Sequence, residues 1–260
     1  MGTTVVRGQI TPRKDLTLGL AGLTLAVILW CVLTYGGFVK PLFLPSPTGV
    51  WEGISSFAHK GWLDRALIAS TFRVLKSLFL VVLVGVPIGI LMGSFPTVDA
   101  FLRKIVNAGK AVPPPALIGL IVLWFSIEEK AKVIFLFLGA IFYLIILVKN
   151  AIAGVREEYV RVVTDMGASS LQVITKVLIP GAMPQIWESI TVCSGIMWTY
   201  IVLAEFINSS QDQIGLGYLL QIGSRTQESG MVYGALILIV LVSVFFDFIM
   251  NQIKKRFFAW

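Results

Sequence analysis

The chain has 260 residues, 57% of them hydrophobic and 13% charged, with a formal net charge of +7. Soluble domains carry about 25% charged residues, so this composition excludes an ordinary water-soluble domain and makes lipid the solvent. The excess of positive charge would suggest nucleic acid for a soluble protein; here it fits basic residues flanking membrane spans, and no nucleic-acid partner is expected.

The first predicted element is the run LTLGLAGLTLAVILWCVLTY at 16–35. It is long enough for a hydrocarbon core of about 30 Å and too long for a cleaved leader, so it reads as a retained span. Cys31 lies inside it and Cys193 inside a later span, which argues against disulfide staples. In the connection 36–70, Val50, Ile54 and Phe57 fall at helical spacing after Pro47 and Thr48, predicting a short helix on the outer surface. His59, the single histidine, reads as a surface side chain. Further spans are expected at about 72–95, 108–126, 131–149, 185–208 and 231–250. The third opens on Pro113, Pro114 and Pro115, which a first helical turn tolerates because its amides have no helical acceptor. Backbone groups in lipid must be satisfied internally, so these runs are helices, and no alternating strand pattern suggests a barrel.

Charge asymmetry arbitrates between five spans and six. With six, one side collects Arg7, Arg13 and Lys14; Arg103, Lys104 and Lys110; Lys149, Arg156, Arg161 and Lys176; and Lys254, Lys255 and Arg256. With five, the later loops change sides and the bias disappears. The positive-inside rule selects the first arrangement. The expected fold is an all-α membrane protein of six transmembrane helices, both termini cytoplasmic, with residues 1–260 as a single domain.

The longest inner connection, 156–180, is charged and helical in period. Tyr159, Val162, Val163 and Met166 form one apolar stripe, opposite Glu157, Glu158, Arg161, Thr164 and Asp165. Gly167 follows, as glycine does just past a helix end. Ser169 with Gln172 makes a capping box for a second helix carrying Leu171, Ile174, Val177 and Leu178, expected to stop before Pro180. The loop thus reads as two short amphipathic helices around a glycine corner. One use for it is to lie in the lipid headgroups; the other is to present apolar side chains to a soluble partner. The mixed-sign polar face suits anionic lipid poorly.

Polar residues in the later spans are the remaining candidates. Glu205 near the outer end of the fifth span is costly in lipid, and so a functional candidate; Asn208 follows it. It either reaches the interface, pairs with Arg73 or Lys76, or lines a pathway. Arg73 and Lys76 share a helix face near the outer end of the second span; they snorkel or attract an entering anion. Ser194 and Thr199 line the pathway or bond back to their own helix. Glu188 and Asp247 are expected to pair with the basic clusters. The glycines of GLG at 215–217 offer free backbone amides in an outer turn.

The stretch RVVTDMGASSLQVITKVLIP resembles the cytoplasmic signature of binding-protein-dependent ABC importer permeases, with Gly167, Ala168, Val177, Ile179 and Pro180 at the matching places. Arg161, Val162 and Val163 stand where the family has Glu-Ala-Ala. The segments LFLPSPTGVW, STFRVLKSLFLVVLVGVPIGILMGSF and AEFINSSQDQIGLGYLL, and the basic C-terminus ending in Trp260, are similar to the nitrate/sulfonate/taurine/bicarbonate-type branch; Ser126 in FSIEEKAK stands where many relatives have Gly. The resemblance implies a type I permease subunit in the bacterial inner membrane. Its substrate would be a small anion such as nitrate, bicarbonate or a sulfonate, delivered by a separate binding protein or lipoprotein. The chain would work beside a second permease copy, as a homodimer, and two ABC ATPase subunits. Arg161, Val162, Val163, Asp165, Met166, Gly167, Ala168, Ser169 and Leu171 would then contact the ATPase, which would bind ATP and Mg; the chain has no Walker A pattern and no cofactor of its own is expected. A secondary transporter or channel is the rival reading, but neither inverted repeats nor broken helices around midplane ions are evident. An enzyme is not expected, because no nucleophile–base or metal-ligand spacing occurs.

Overall fold

The computed structural model describes residues 11–207 and 213–258; Arg7, Asn208 and Trp260 lie outside them. In chain order the helices are α1 (Pro12–Tyr35), α2 (Pro47–His59), α3 (Leu63–Ser94), α4 (Pro96–Ala111), α5 (Pro114–Phe125), α6 (Glu129–Ala153), α7 (Glu157–Asp165), α8 (Ser170–Val173), α9 (Ile179–Phe206), α10 (Leu216–Arg225) and α11 (Ser229–Phe257). No strand occurs among the described residues. Five helical runs are long and apolar enough to cross a bilayer, and the bent pair α4–α5 makes up to six.

The bundle is built around α6, whose Phe135, Leu136, Ala140, Leu144, Val148 and Ile152 are all buried. Its main neighbour is α3, and GVPIGILMG explains the closeness of the two. Gly85, Gly89 and Gly93 recur every fourth residue, so they share one face of α3. A Cβ on Gly89 would stand 2.7 Å from Cβ of Val148, and one on Gly93 would stand 2.7 Å from Cβ of Ile152. Lipid tails are as apolar as leucine, so helices in a bilayer gain chiefly by close packing, which small residues permit.

Two predicted elements differ from expectation. The third span is not one straight helix: α4 and α5 meet at an angle of 97°. Pro113, Pro114 and Pro115 force this, because the residue before a proline is driven out of the helical region, and Val112 has ψ 123°. The twelve residues of α5 rise only about 18 Å, well short of the hydrocarbon core. Likewise the helix after Gly167 does not stop before Pro180. From α8 it passes through a π turn, Ile174–Leu178, and continues as α9, giving a run of 37 residues. The wider π turn falls where Pro180 can supply no amide to the helix ladder, so the chain stays helical.

The predicted helix after the first span is α2. Ser46 caps it by accepting the Gly49 amide at 3.2 Å, and Pro47 fills its first turn. Val50 and Phe57 are buried, against the start of α11. The approach is backbone to backbone, since a Cβ on Gly53 would stand 2.4 Å from the Gly230 carbonyl. By contrast no residue of α1 with a described side chain is buried. Its ties include Trp30 Nε1 to the Pro45 carbonyl and the Tyr35 hydroxyl beside Thr48 Oγ1.

Candidate functional site

Two sites stand at opposite ends of α6. Beyond its C-terminal end, α7 carries the apolar stripe read from the sequence, in which Val163 is half-buried and the other members are exposed. Tyr159 and Val162 are exposed, as are Met166 (81%) and Leu171 (70%). Gly167 has φ +84°, a conformation that costs a side-chain-bearing residue energy. Its amide bonds to the Thr164 carbonyl at 2.8 Å, and the Ala168 amide bonds to the Val163 carbonyl at 3.2 Å, closing the helix end. Across the corner the Ser169–Gln172 capping box is present in both directions. Arg161 bonds to Glu157 one turn back, at 2.8 Å, while Asp165 forms no ion pair among the described residues. The corner is therefore rigid by its own local bonds, and it displays Met166 and Leu171 outward.

At the other end, Glu205 sits at the C-terminal end of α9 with 0% exposure. Its Oε1 accepts hydrogen bonds from Ser70 Oγ at 2.6 Å and Arg73 Nη1 at 2.8 Å, and its Oε2 accepts the Gly217 amide at 2.6 Å. Ser70 Oγ in turn accepts the Leu216 amide at 2.9 Å. The sequence suggested free amides in GLG, but the Gly217 amide holds this carboxylate directly and the Leu216 amide does so through Ser70. The glycines are needed for space, because a Cβ on Gly215 would fall 2.3 Å from the Glu205 carboxyl carbon.

Arg73 does not snorkel. Only 5% exposed, it forks onto Glu129, with Nε 2.7 Å from Oε2, while a second face of its guanidinium meets Glu205. Two carboxylates compensate the desolvation that would otherwise drive it to the interface. Lys132 is fully buried nearby, with Nζ 3.3 Å from Glu129 Oε1. Arg73 and Lys132 balance Glu129 and Glu205, so this knot joining α3, α6, α9 and α10 is neutral overall. Sequence reasoning had paired Arg73 with Glu205 as one alternative but missed Ser70, Glu129 and Lys132. Helical spacing was their signal: Ser70 is one turn from Arg73, and Glu129 one turn from Lys132.

Lys76 lies apart from this knot. It is exposed and lines a cleft of about 800 Å³ between α3, α5 and α6. Ser194 is buried on α9, its Oγ without a hydrogen-bond partner among the described residues, whereas Thr199 is exposed and bonds back to the Gly195 carbonyl at 3.2 Å. Thr199 also borders a groove of about 290 Å³ between α9 and α11, with Trp198 and Ser243. Glu188 pairs with Lys254 at 2.8 Å as expected, but Asp247 does not join the basic cluster. Two turns of α11 separate it from Lys254, and its Oδ1 is buried without a hydrogen-bond partner among the described residues. His59 is exposed, its Nδ1 at 2.7 Å from the Ser55 carbonyl. Among the described residues no cluster of His, Cys, Asp or Glu is able to hold a metal ion.

Residues 85–259 match the family model described as binding-protein-dependent transport system inner membrane component. The chain is 31% identical to the taurine transport system permease protein TauC of Escherichia coli K12, over 95% of this chain and 90% of that protein. It is 27% identical to the putative aliphatic sulfonates transport permease protein SsuC of Bacillus subtilis 168, over 90% and 84%. It is 25% identical to the bicarbonate transport system permease protein CmpB of Synechocystis, over 80% and 76%. In fold it resembles a chain of the MetNI methionine ABC transporter in an inward-facing conformation, with a TM-score of 0.68 at 21% identity over 75% of this chain and 95% of that one.

Proposed function

We propose, for a chain that belongs to the family of binding-protein-dependent transport-system inner membrane components, that two copies form the pathway for a small anion and are driven by two separate ATPase subunits. The chain is a multi-pass inner-membrane permease subunit of an ABC importer for small solutes. The anion, the homodimer and the stoichiometry are our reading. Relatives for taurine, aliphatic sulfonates and bicarbonate support an organosulfonate or similar small anion, delivered by a binding protein on the outer side.

One observation carries the coupling assignment: Tyr159, Val162, Met166 and Leu171 stand exposed around a corner closed by its own backbone hydrogen bonds. Burying one such side chain contributes about 1.5–3 kcal/mol, so Met166 and Leu171 together suffice to anchor a groove on an ATPase subunit. Val162, Val163, Ala168 and Ser169 would border the contact, with Arg161 and Asp165 at its polar edge and Gly167 at the turn. In this reading the corner and both termini face the cytoplasm. ATP and Mg bind the partner, and closure of the ATPase pair moves the corner. Because the helix from Ser170 runs through to Phe206, such a movement passes directly along α9. Thr199 and Ser194 on α9 are the pathway residues we favour, while Arg73 and Glu205 hold the helices that frame it.

The test is co-expression with candidate ATPase subunits, affinity purification through the permease, and ATP-dependent uptake in proteoliposomes. Stable co-purification and uptake that stops without ATP are expected. Uptake by the chain alone, driven by an ion gradient, would replace this reading with a secondary transporter.

A further inference from the structure

The cleft that contains Lys76 has a composition unsuited to a hydrophilic solute. It is walled by Phe72, Phe79, Leu80, Phe125, Val133 and Ile134, with Arg73 and Glu129 of the knot also lining it, and among the described residues no hydroxyl or amide side chain does so. A small hydrated anion entering it would give up water. The cleft's one carboxylate, Glu129, is engaged by Arg73 and Lys132, and the available amines are Lys76 and Lys130, since Arg73 is already saturated by Glu129 and Glu205. Neither lysine forms an ion pair among the described residues, while the neighbouring Lys132 does. The buried knot is neutral, so these two amines are uncompensated positive charge beside an apolar trough. The trough, about 800 Å³, falls within the range of roughly 300–1,000 Å³ usual for small-molecule pockets.

We propose that this cleft between α3, α5 and α6 binds one anionic phospholipid, its phosphate on Lys76 and Lys130 and an acyl chain along Phe72, Phe79 and Phe125. Both halves of the ligand are specified by what is present. The amines select a negative head, and the aromatic and aliphatic walls select a chain rather than a free ion. Phe72 and Phe79 are exposed on a helix long and apolar enough to span the membrane, so the trough opens where lipid is the surrounding medium. Basic pockets between membrane helices recognise anionic headgroups by this combination. Lys130 in the first turn of α6 and Lys76 one turn beyond Arg73 place the head near the end of the bundle that carries the Glu205 knot. An occupying chain would brace α5, which is too short to span the core and packs mainly on α6.

The test uses the purified full chain in mild detergent, incubated with phosphatidylglycerol or phosphatidylcholine and read by native mass spectrometry. The wild type and a charge-matched surface control, Lys40→Gln with Lys104→Gln, should retain one phosphatidylglycerol in preference to phosphatidylcholine. In Lys76→Gln with Lys130→Gln that preference should fall by roughly thirtyfold, from two lysine–headgroup contacts. Soluble glycerol phosphate should not displace the lipid. Equal retention by wild type and the cleft variant would overturn the proposal, and so would displacement by glycerol phosphate, which would mark a plain anion site. Efficient cross-linking between copies through Phe79→Cys, whatever the lipid, would show that a second copy fills the cleft and would also overturn it. Lipid retention needs no ATPase, so its outcome is independent of the coupling assignment.

Discussion

Arg73 on α3 and Glu205 on α9 are joined by a contact of 2.8 Å between Nη1 and Oε1, with both side chains buried. Removing one partner of a buried pair leaves the other charged and uncompensated, which costs about 3–5 kcal/mol. Arg73→Met is therefore expected to lower the unfolding midpoint in a denaturing-detergent titration by that order. Arg73→Met combined with Glu205→Met should recover part of the loss. A double mutant that is simply additive would show that the two residues are uncoupled.

Gly215 has extended backbone, φ −155°, so its importance lies in space and not in conformation. Gly215→Ala pushes a methyl group into the Glu205 carboxylate and is expected to destabilise by about 1–3 kcal/mol. With Glu205→Ala already present, the same substitution should cost far less. Comparing thermal midpoints of the two backgrounds checks this.

The α3–α6 contact makes a similar prediction at Gly89. Gly89→Ala places a Cβ 2.7 Å from that of Val148 and should cost about 1–3 kcal/mol through overpacking. With Val148→Gly already present, which removes the clashing Cβ and Cγ1, the same substitution should cost less. The readout is retention of monodisperse protein on heating in detergent.

Ser126 closes α5 with φ 56° and ψ −161°, a region occupied almost only by glycine. A glycine at this position would adopt the same conformation without strain. Ser126→Gly is expected to raise stability by about 1 kcal/mol, from relief of strain of about 1–3 kcal/mol less the entropy that glycine adds to the unfolded chain. A lower midpoint for the variant would contradict the observed backbone conformation.

Met166→Asp and Leu171→Asp change exposed side chains, so each should leave the midpoint within about 0.5 kcal/mol. Each should nevertheless weaken ATPase attachment by about 1.5–3 kcal/mol, roughly ten- to a hundredfold, and reduce ATP-dependent uptake accordingly. Affinity measured between the permease in nanodiscs and the soluble ATPase checks the first effect, and proteoliposome flux the second.

Features set by neighbours along the chain were legible without coordinates. The apolar runs, the Pro47 entry of α2, the Gly167 corner and the Ser169–Gln172 box all depend on residues within about one or two helical turns, where periodicity and capping chemistry act. Gly85, Gly89 and Gly93 are equally legible, as a small-residue repeat on one helix face. Local pattern therefore specifies a membrane bundle with a polar, cornered connection between two spans. Which charges meet depends on how the helices pack. Glu205 is 132 residues from Arg73 and Glu129 is 56, and no local pattern states that three helices and a glycine turn converge on one carboxylate. Periodicity also gave no sign that the helix beyond Gly167 would run on past Pro180, or that α4 and α5 would meet at 97°. The physical reason is the same in each case. Desolvated charge and close packing are settled by whichever groups the fold brings within a few ångströms, and that proximity is a property of the whole bundle.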